Sequence, residues 1–344
     1  MNRFEFHRAS DVAGATRLGA GGARFLAGGT NLVDLMKEDV ERPRTVVDIT
    51  RLPLRGIDDL PDGGLRLGAL ASNAATACDE RVATRYPMLA SAILAGASPQ
   101  LRNAATNGGN INQRTRCYYF YDVATPCNKR EPGTGCSAIG GVTRQHAILG
   151  ASEHCIATHP SDMAVALAAL GATVQVTGPA GERSIAFADY HRLPGDEPWR
   201  DNTLETGELV TAIDLPAEGF APHSTYLKLR DRLSYAFALV SVAAALRLDD
   251  AGRIAEARVA LGGIAHRPWR DTRAEASLQG TLPGDDAFAA FATALLAGAR
   301  GQGGNDFKIE LARRAVRRAL RQAADGTPQS QVDKRVAAPA RSAA

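Results

Sequence analysis

Apolar residues in the first half of the chain alternate between short runs typical of strands and stretches with helical spacing. Strands are predicted at 23–29, 45–49 and 64–70, helices at 31–40, 88–97 and 159–172, and a hairpin at 173–187. Ser72 and Asn73 are suited to cap a further helix after the third of these strands. The mixture of strands and helices predicts an α+β fold with mixed sheets.

The pattern changes in the second half of the chain. Long strand-like runs occur at 224–230, 236–248 and 253–262, and three helical segments follow through about Ala324. Strands in succession followed by helices in succession predict a second domain, an antiparallel sheet with helices on one face.

These changes divide the chain into predicted segments. The first domain is expected at 1–217 and the second at 218–324. The tail 325–344 has little to pack and is predicted to be disordered. The turn-rich stretch 191–206 is predicted to be a loop near the domain boundary.

Composition and charge exclude few functions. The 344 residues are 45% hydrophobic and 22% charged, which is typical of globular proteins. A formal net charge of +3 gives no reason to expect nucleic acid or an anionic membrane as the main partner. No apolar run approaches the roughly 20 residues that span a bilayer. The first twenty residues lack a basic region followed by an apolar one, so we expect no secretory signal.

Two glycine turns carry candidate binding chemistry. The segments "LAGGTNLVDLM" (26–36) and "NAATNGGNINQ" (103–113) combine glycines with threonine and asparagine. Glycines let a backbone approach a ligand closely, and free N–H groups at a helix start attract anions such as phosphate. Two interpretations are open, because the glycines could hold a diphosphate ligand or simply close strand-to-helix turns.

Four of the five cysteines lie in one polar, turn-rich region, at Cys117, Cys127, Cys136 and Cys155. Their spacing matches no compact zinc or ferredoxin signature, so a metal site and four buried thiols are both open interpretations. A loop offers little core in which thiols could pack, which favours a metal site. Three histidines could replace a cysteine as ligand: His146, His154 and His159. The fifth cysteine, Cys78, is predicted to be an ordinary buried thiol.

Several motifs in one order resemble a known family. They are "FLAGGTNLVDLMK", "LRNAATNGGNINQRTRC", "HPSDMAVAL" and "KLRDRLSYAFALVSVAAAL". They are similar to those of the FAD-binding subunits of molybdenum hydroxylases, the xanthine dehydrogenase and aldehyde oxidase family. The resemblance runs from about Phe4 to about Ala323. It is closest to the flavin subunits of bacterial periplasmic aldehyde oxidoreductases, which carry the same cysteine-bearing insertion, here at 114–156.

The resemblance implies a fold and a set of FAD contacts. The fold would be a PCMH-type FAD-binding domain of two α/β subdomains, followed by a smaller domain with an antiparallel sheet and helices. The implied FAD-binding residues are Leu26, Ala27, Gly28, Gly29, Thr30, Asn31, Leu32, Ala105, Thr106, Gly109, Asn110, Gln113, Asp162 and Lys228. Residues 27–32 would hold the diphosphate through backbone amides, Asp162 would bond a ribitol or ribose hydroxyl, and Lys228 would approach the isoalloxazine. Many relatives have a hydrophobic or threonine side chain where this chain has Asn112 and Gln113.

The resemblance also implies a second cofactor and partners. A [4Fe–4S] cluster would be bound by Cys117, Cys127, Cys136 and Cys155. The chain has no recognisable molybdopterin site and no plant-type C-x4-C-x2-C motif. Substrate oxidation would therefore occur on a molybdenum subunit, and electrons would pass through a [2Fe–2S] subunit to this FAD and on to an external acceptor.

Two other functions are open, and so is the location. One is the flavin subunit of a 4-hydroxybenzoyl-CoA reductase-like enzyme, which also carries a [4Fe–4S] cluster but works reductively. The other is a non-catalytic assembly module stabilised by zinc. The resemblance implies a periplasmic location within an exported complex whose signal lies on another subunit, with the cytoplasm as the alternative.

Overall fold

The computed structural model describes residues 1–233 and 235–327, which form three sheets with helices between and around them. The strands are β1 Glu5–Arg8, β2 Arg24–Leu26, β3 Thr45–Asp48, β4 Ile57–Asp59, β5 Leu65–Gly68, β6 Thr173–Gly178, β7 Gly181–Ala186, β8 Leu209–Leu215, β9 Ser224–Leu229, β10 Val240–Leu248, β11 Ile254–Gly262 and β12 Trp269–Arg270. The helices are α1 Val12–Ala20, α2 Leu32–Lys37, α3 Asn73–Cys78, α4 Glu80–Arg85, α5 Pro87–Ala95, α6 Pro99–Ala104, α7 Asn107–Ile111, α8 Tyr118–Tyr121, α9 Asp162–Leu170, α10 Phe187–Tyr190, α11 Thr272–Ala276, α12 Asp285–Leu295 and α13 Phe307–Ala324.

The first two sheets belong to the N-terminal part of the chain. A small parallel sheet has the order β1-β3-β2, and α1 packs on it. An antiparallel sheet with the order β4-β5-β8-β6-β7 follows. Helix α1 begins at Asp11, whose carboxylate accepts a hydrogen bond from the backbone N–H of Gly14 at 2.6 Å. This cap satisfies one of the free amides of the first helical turn.

The third sheet has the order β12-β11-β10-β9 and is buried on both faces. Val242 and Ala244 of β10 face a core that they share with α12 and α13. Ala243 and Ala245 face the opposite way, into the core that contains α5 and α9 of the N-terminal part. Burial on both faces explains why β10 is a continuous apolar run. The prediction of an antiparallel sheet with the second domain's helices on one face is confirmed, and helices of the first domain cover the other face.

Helix α9 lies between α5 and the third sheet, and all of its residues are buried. It begins at Ser161, whose hydroxyl accepts from the N–H of Ala164 at 2.9 Å. It ends at Gly171, which has a φ of 72°, a left-handed conformation that glycine adopts without strain. The predicted capped, buried helix thus lies at the contact between the two parts of the chain.

A buried ion pair joins the two parts at this contact. The Lys228 ammonium of β9 lies 2.7 Å from an Asp162 carboxylate oxygen of α9. The other carboxylate oxygen accepts from the Tyr226 hydroxyl at 2.6 Å. Lys228 also donates to the carbonyl of Ala95, at the end of α5, at 3.1 Å. Both carboxylate oxygens thus have a hydrogen-bond donor and the ammonium has two acceptors, which offsets part of the cost of removing the charges from water.

Two further predictions are settled by the structure. Cys78, predicted to be buried, is exposed at the last residue of α3, and the prediction was wrong because the apolar face of this short helix ends with Ala77. The stretch 191–206 is a loop as predicted, and it folds back over the N-terminal part.

Most of the predicted tail, residues 328–344, lies outside the described residues, and the predicted domain limits stay predictions. None of the helices in the described ranges is both long enough and apolar enough to cross a membrane.

The buried ion pair predicts a large stability effect at Lys228. Replacing Lys228 by methionine leaves the Asp162 carboxylate buried beside no cation, so we expect a loss of about 3–5 kcal/mol in the free energy of unfolding. Urea unfolding followed by circular dichroism measures this loss. The control is Arg247→Met on β10, whose side chain is 52% exposed and pairs with Glu256 at the surface. Its effect should stay below about 1 kcal/mol. Equal losses in the two variants would contradict the assignment.

Candidate cofactor-binding site

A cavity of about 700 Å³ opens on the N-terminal part of the chain. Four stretches line it: the first glycine turn with its flanks, the second glycine turn, part of the cysteine insertion, and residues 199–210. Its volume is within the range of clefts that hold organic cofactors. We call it the large cavity.

The first glycine turn, residues 27–31, connects β2 to α2 and lines the large cavity. Gly29 has a φ of 73°, which a residue with a side chain adopts only with strain. Within the part of the chain that the structure describes, the backbone N–H groups of Gly29, Thr30 and Asn31 donate no hydrogen bond. Three successive unsatisfied N–H groups beside a cavity can bind an anionic oxygen.

The two glycine turns are in direct contact. A Cβ atom on Gly28 would lie 1.8 Å from the Ala104 carbonyl oxygen, so only glycine fits there. The Asn31 side-chain amide donates to the carbonyl of Gly109 at 3.3 Å. The Thr106 hydroxyl caps α7 by accepting from the N–H of Gly109 at 3.2 Å. The resemblance placed these turns on two sides of one ligand, and the fold brings them together at the large cavity.

The implied FAD residues divide into two groups. Eight of them line the large cavity: Ala27, Gly28, Gly29, Thr30, Asn31, Leu32, Thr106 and Gly109. Six do not: Leu26, Ala105, Asn110, Gln113, Asp162 and Lys228. No bound ligand tests these assignments, and they stay predictions.

Asn110 and Gln113 belong to a polar network behind the cavity wall. The Asn110 side-chain oxygen accepts from Ser161 at 2.5 Å and from Gln113 at 3.1 Å. Its amide nitrogen donates to the side-chain oxygen of Asn73 at 2.7 Å. In this arrangement, the network fixes the second glycine turn to the start of α9.

Asp162 lies at a second, small cavity of about 20 Å³. Cys117, His146 and Phe237 also line this small cavity. Because both Asp162 oxygens already bind Tyr226 and Lys228, its carboxylate is fixed before any ligand is present.

A partly buried network of charges forms one wall of the large cavity, and the sequence did not reveal it. The Asp201 carboxylate lies 2.6 Å from the Lys129 ammonium and 2.7 Å from the Arg114 guanidinium, which also binds Glu41 at 2.7 Å. We call Glu41, Arg114, Lys129 and Asp201 the charged wall. Burial by itself would raise the pKa of Asp201, but Lys129 and Arg114 outweigh it and hold this pKa well below the usual range. Asp201 comes from the loop 191–206, whose turn-rich composition gave no signal for a buried carboxylate.

The cysteine insertion, residues 114–156, contributes Arg114 and Lys129 to the charged wall. It also contains the four clustered cysteines. Cys127 and Cys136 face each other as an isolated antiparallel bridge. Between them, the Asn128 side-chain oxygen accepts from the N–H of Gly135 at 2.8 Å, and its amide donates to the His154 carbonyl at 3.1 Å. This residue thereby ties the bridge to the segment that contains Cys155.

The cysteines influence one another's pKa values. Burial, with smaller contributions from the charges of Cys127 and Cys155, raises the pKa of Cys117 to about 12. Burial likewise raises the pKa of Cys155 to about 11, with added contributions from Cys136 and Cys127. Each cysteine is thus within electrostatic range of others in the set, which we call the four-cysteine site.

The four-cysteine site offers thiol ligands, which both structural zinc and iron–sulfur clusters use. Among the described residues, no group of three or more histidine, cysteine or acidic side chains is arranged to hold a metal ion. Four thiolates around one zinc, each about 2.3 Å from the metal, must lie within about 4 Å of one another. A four-iron cluster binds each thiolate through a different iron, so its ligands can remain farther apart. Four cysteine side chains are the number and type of ligand that such a cluster takes.

Two buried histidines contact the four-cysteine site. His146 Nε2 lies 3.1 Å from Cys117 Sγ, and His266 Nε2 lies 3.3 Å from Cys155 Sγ. Burial lowers the pKa of His146 to about 4 and that of His266 well below the usual value. His266 follows β11, far along the chain from the cysteines, so sequence analysis missed it.

The other two candidate histidines lie elsewhere. His154 is half exposed, 3.5 Å from the exposed Asp196. His159 packs against the ring of His191, with a centroid distance of 4.2 Å. Of the three histidines considered as ligands, only His146 contacts a cysteine sulfur among the bonds of the described residues.

Comparison with known proteins identifies both parts of the fold. Residues 2–218 match the family described as FAD binding domain in molybdopterin dehydrogenase, and residues 224–323 match the CO dehydrogenase flavoprotein C-terminal domain. The predicted α+β class, with an FAD-binding domain before an antiparallel-sheet domain, is confirmed.

Individual relatives match over nearly the whole chain. The aldehyde oxidoreductase FAD-binding subunit PaoB of Escherichia coli K12 is 50% identical over 303 residues, 88% of this chain and 92% of that subunit. The carbon monoxide dehydrogenase medium chain of Afipia carboxidovorans is 28% identical over 336 residues, 93% of this chain and 96% of that one. A chain in the solved carbon monoxide dehydrogenase from Hydrogenophaga pseudoflava superimposes with a TM-score of 0.74 at 26% identity, covering 94% of this chain and 98% of that one.

The contact between the glycine turns predicts that Gly28→Ala weakens FAD binding. The new methyl group collides with the Ala104 carbonyl, so the two turns must separate. Overpacking of this kind costs about 1–3 kcal/mol, equivalent to a roughly 5- to 150-fold loss in affinity. Titration of flavin-depleted protein with FAD measures the loss. The matched control is Gly284→Ala, whose Cβ would meet only a carbonyl oxygen at 3.9 Å. An unchanged affinity for Gly28→Ala would refute the role of this contact.

Proposed function

The chain belongs to the FAD-binding subunits of the molybdenum hydroxylase family, and on this premise we propose that it carries electrons through FAD within a molybdenum-dependent aldehyde oxidoreductase. In this proposal the chain also carries a [4Fe–4S] cluster and is one subunit of a heterotrimer. The aldehyde substrate class is supported by the 50% identity to a subunit named for that activity.

The FAD site is proposed at the large cavity. The unsatisfied N–H groups of Gly29, Thr30 and Asn31 would bind the diphosphate, because backbone donors in a glycine turn are matched to phosphate oxygens. Thr106 and Gly109, on the facing turn, would contact the other side. The charged wall is internally neutralised, so it closes the cavity without adding a free charge beside the cofactor.

The observation that carries the cluster is the position of the four-cysteine site. Arg114, Lys129 and Arg130 of the cysteine insertion line the large cavity, and Cys117 and Cys127 pack with Leu35 of the cavity wall. Cys117 also lines the small cavity beside Asp162. Cys117, Cys127, Cys136 and Cys155 would hold the cluster as thiolates, and metal binding would release their protons despite the raised pKa values of Cys117 and Cys155.

The chain would then be the subunit through which electrons leave a larger complex. The relatives are named as an FAD-binding subunit and a medium chain, which supports partner subunits that hold the molybdenum and [2Fe–2S] centres. FAD accepts and releases electrons one or two at a time, so it can take them singly from a [2Fe–2S] partner and pass them to an external acceptor. The residues of this chain bind and orient the cofactors and exclude water from them.

A periplasmic location within the exported complex is part of the proposal, with export depending on a partner subunit. Cell fractionation should therefore find the chain in the periplasm when all three subunits are co-expressed, and in the cytoplasm when it is expressed alone. A cytoplasmic location of the assembled complex, in cells with full activity, would refute the proposed periplasmic location.

The proposal predicts two chromophores in the isolated chain. Anaerobically purified protein should show flavin bands on a broad absorption near 400 nm, with about four irons per flavin. Iron, acid-labile sulfide and flavin assays on one preparation give the ratio. One zinc in place of iron, with no flavin, would favour the assembly module.

The cysteines offer a matched pair of variants. Cys136→Ala should lose most of the bound iron and keep FAD, because it removes one of the four thiolates and leaves the glycine turns intact. Cys78→Ala removes an exposed thiol outside the insertion and should keep both. Full iron retention in Cys136→Ala would overturn the assignment of this ligand.

A further inference from the structure

The two histidines at the four-cysteine site have no assigned role, and their geometry is alike. Each presents Nε2 to one sulfur, His146 to Cys117 and His266 to Cys155. Each has a buried Nδ1 atom without a hydrogen-bond partner in the described part of the chain. A sulfur that binds iron as a thiolate can only accept a hydrogen bond, so both Nε2 atoms must carry the proton.

We propose that His146 and His266 are positioning residues that donate N–H···S hydrogen bonds to Cys117 and Cys155 and thereby raise the reduction potential of the bound cluster. This inference rests on the proposed function, since it requires the cluster. Reduction adds negative charge to the cluster and its sulfurs, and N–H donors stabilise that charge. Second-shell partners of this kind also orient the ligands that they touch.

The C-terminal domain fixes the first of these donors. The carbonyl of His146 accepts from the Asn305 amide at 3.0 Å and from the Lys308 ammonium at 2.8 Å. Lys308 is fully buried at the start of α13, and its other partner is the carbonyl of Gly263. A buried ammonium that binds two carbonyls holds the backbone of His146 rigidly against the sheet.

The same domain supplies the second donor directly. His266 follows β11, and the neighbouring carbonyls of Ile264 and Ala265 accept from the N–H groups of Ile148 and His159. The segment that contains Cys155 is thus hydrogen-bonded to the residues beside His266. Both donors therefore depend on the docking of the second domain, which gives this domain a part in setting the potential.

The test is a redox titration of the full-length holoprotein, monitored by the electron paramagnetic resonance of the reduced cluster. His146→Leu and His266→Leu should each shift the cluster potential to more negative values, and the double variant should shift it further. His146→Gln and His266→Gln keep an N–H donor and should recover part of the shift. The FAD potential, measured in the same titration, should not move.

His154→Leu is the matched control, because His154 lies in the same insertion but is half exposed and contacts no cysteine sulfur. Its cluster potential should equal that of the unmodified protein. Leucine variants with full iron and an unchanged potential would overturn the inference. An unmodified protein without iron would instead refute the proposed cluster, so the two failures are distinguishable.

A second measurement needs no variant and covers the case in which the leucine variants lose iron. Protein labelled with ¹⁵N-histidine should show magnetic couplings from two histidine nitrogens to the reduced cluster by pulsed electron paramagnetic resonance. An iron-loaded protein that shows no such coupling would overturn the proposal.

Discussion

The docking of the third sheet against α9 is the constraint on which the rest of the structure depends. It buries Asp162 of one domain and Lys228 of the other in a single ion pair, which both domains must be in place to satisfy. Desolvating two charges costs several kcal/mol each and is offset only by good geometry and additional hydrogen bonds. Tyr226 and the Ala95 carbonyl provide those bonds. The relative position of the domains is therefore specified by polar contacts within an otherwise apolar interface.

The cysteine insertion shows how a segment with little regular structure becomes ordered. Apart from the four-residue α8, it has no helix or strand of its own among the described residues. It is held from three directions. Phe120 and Cys127 pack on Leu35 of α2, Arg114 and Lys129 bind Asp201, and the His146 backbone binds α13. Such contacts replace the core that a loop cannot form by itself.

This arrangement explains how the insertion reaches the large cavity. Its charged residues line the cavity, and Cys117 and Cys127 pack with Leu35 of the cavity wall. The molybdenum hydroxylase family places substrate chemistry on a partner, so this chain needs residues that bind and orient cofactors, and it needs no nucleophile or general base of its own.

The sequence by itself determined the fold class, the two glycine turns and the grouping of the cysteines, because each depends on residues close together in the chain. Apolar spacing sets helices and strands locally, and glycines mark turns wherever they occur. Only the tertiary structure decided which distant side chains meet. His266 reaches Cys155 across 111 positions, and Asp201 reaches Arg114 across 87. The tertiary structure also decided that Cys78 is exposed and that the second face of the third sheet is buried. Such contacts depend on how the sheets and helices pack. A local pattern of residues does not specify which distant segment will pack against it.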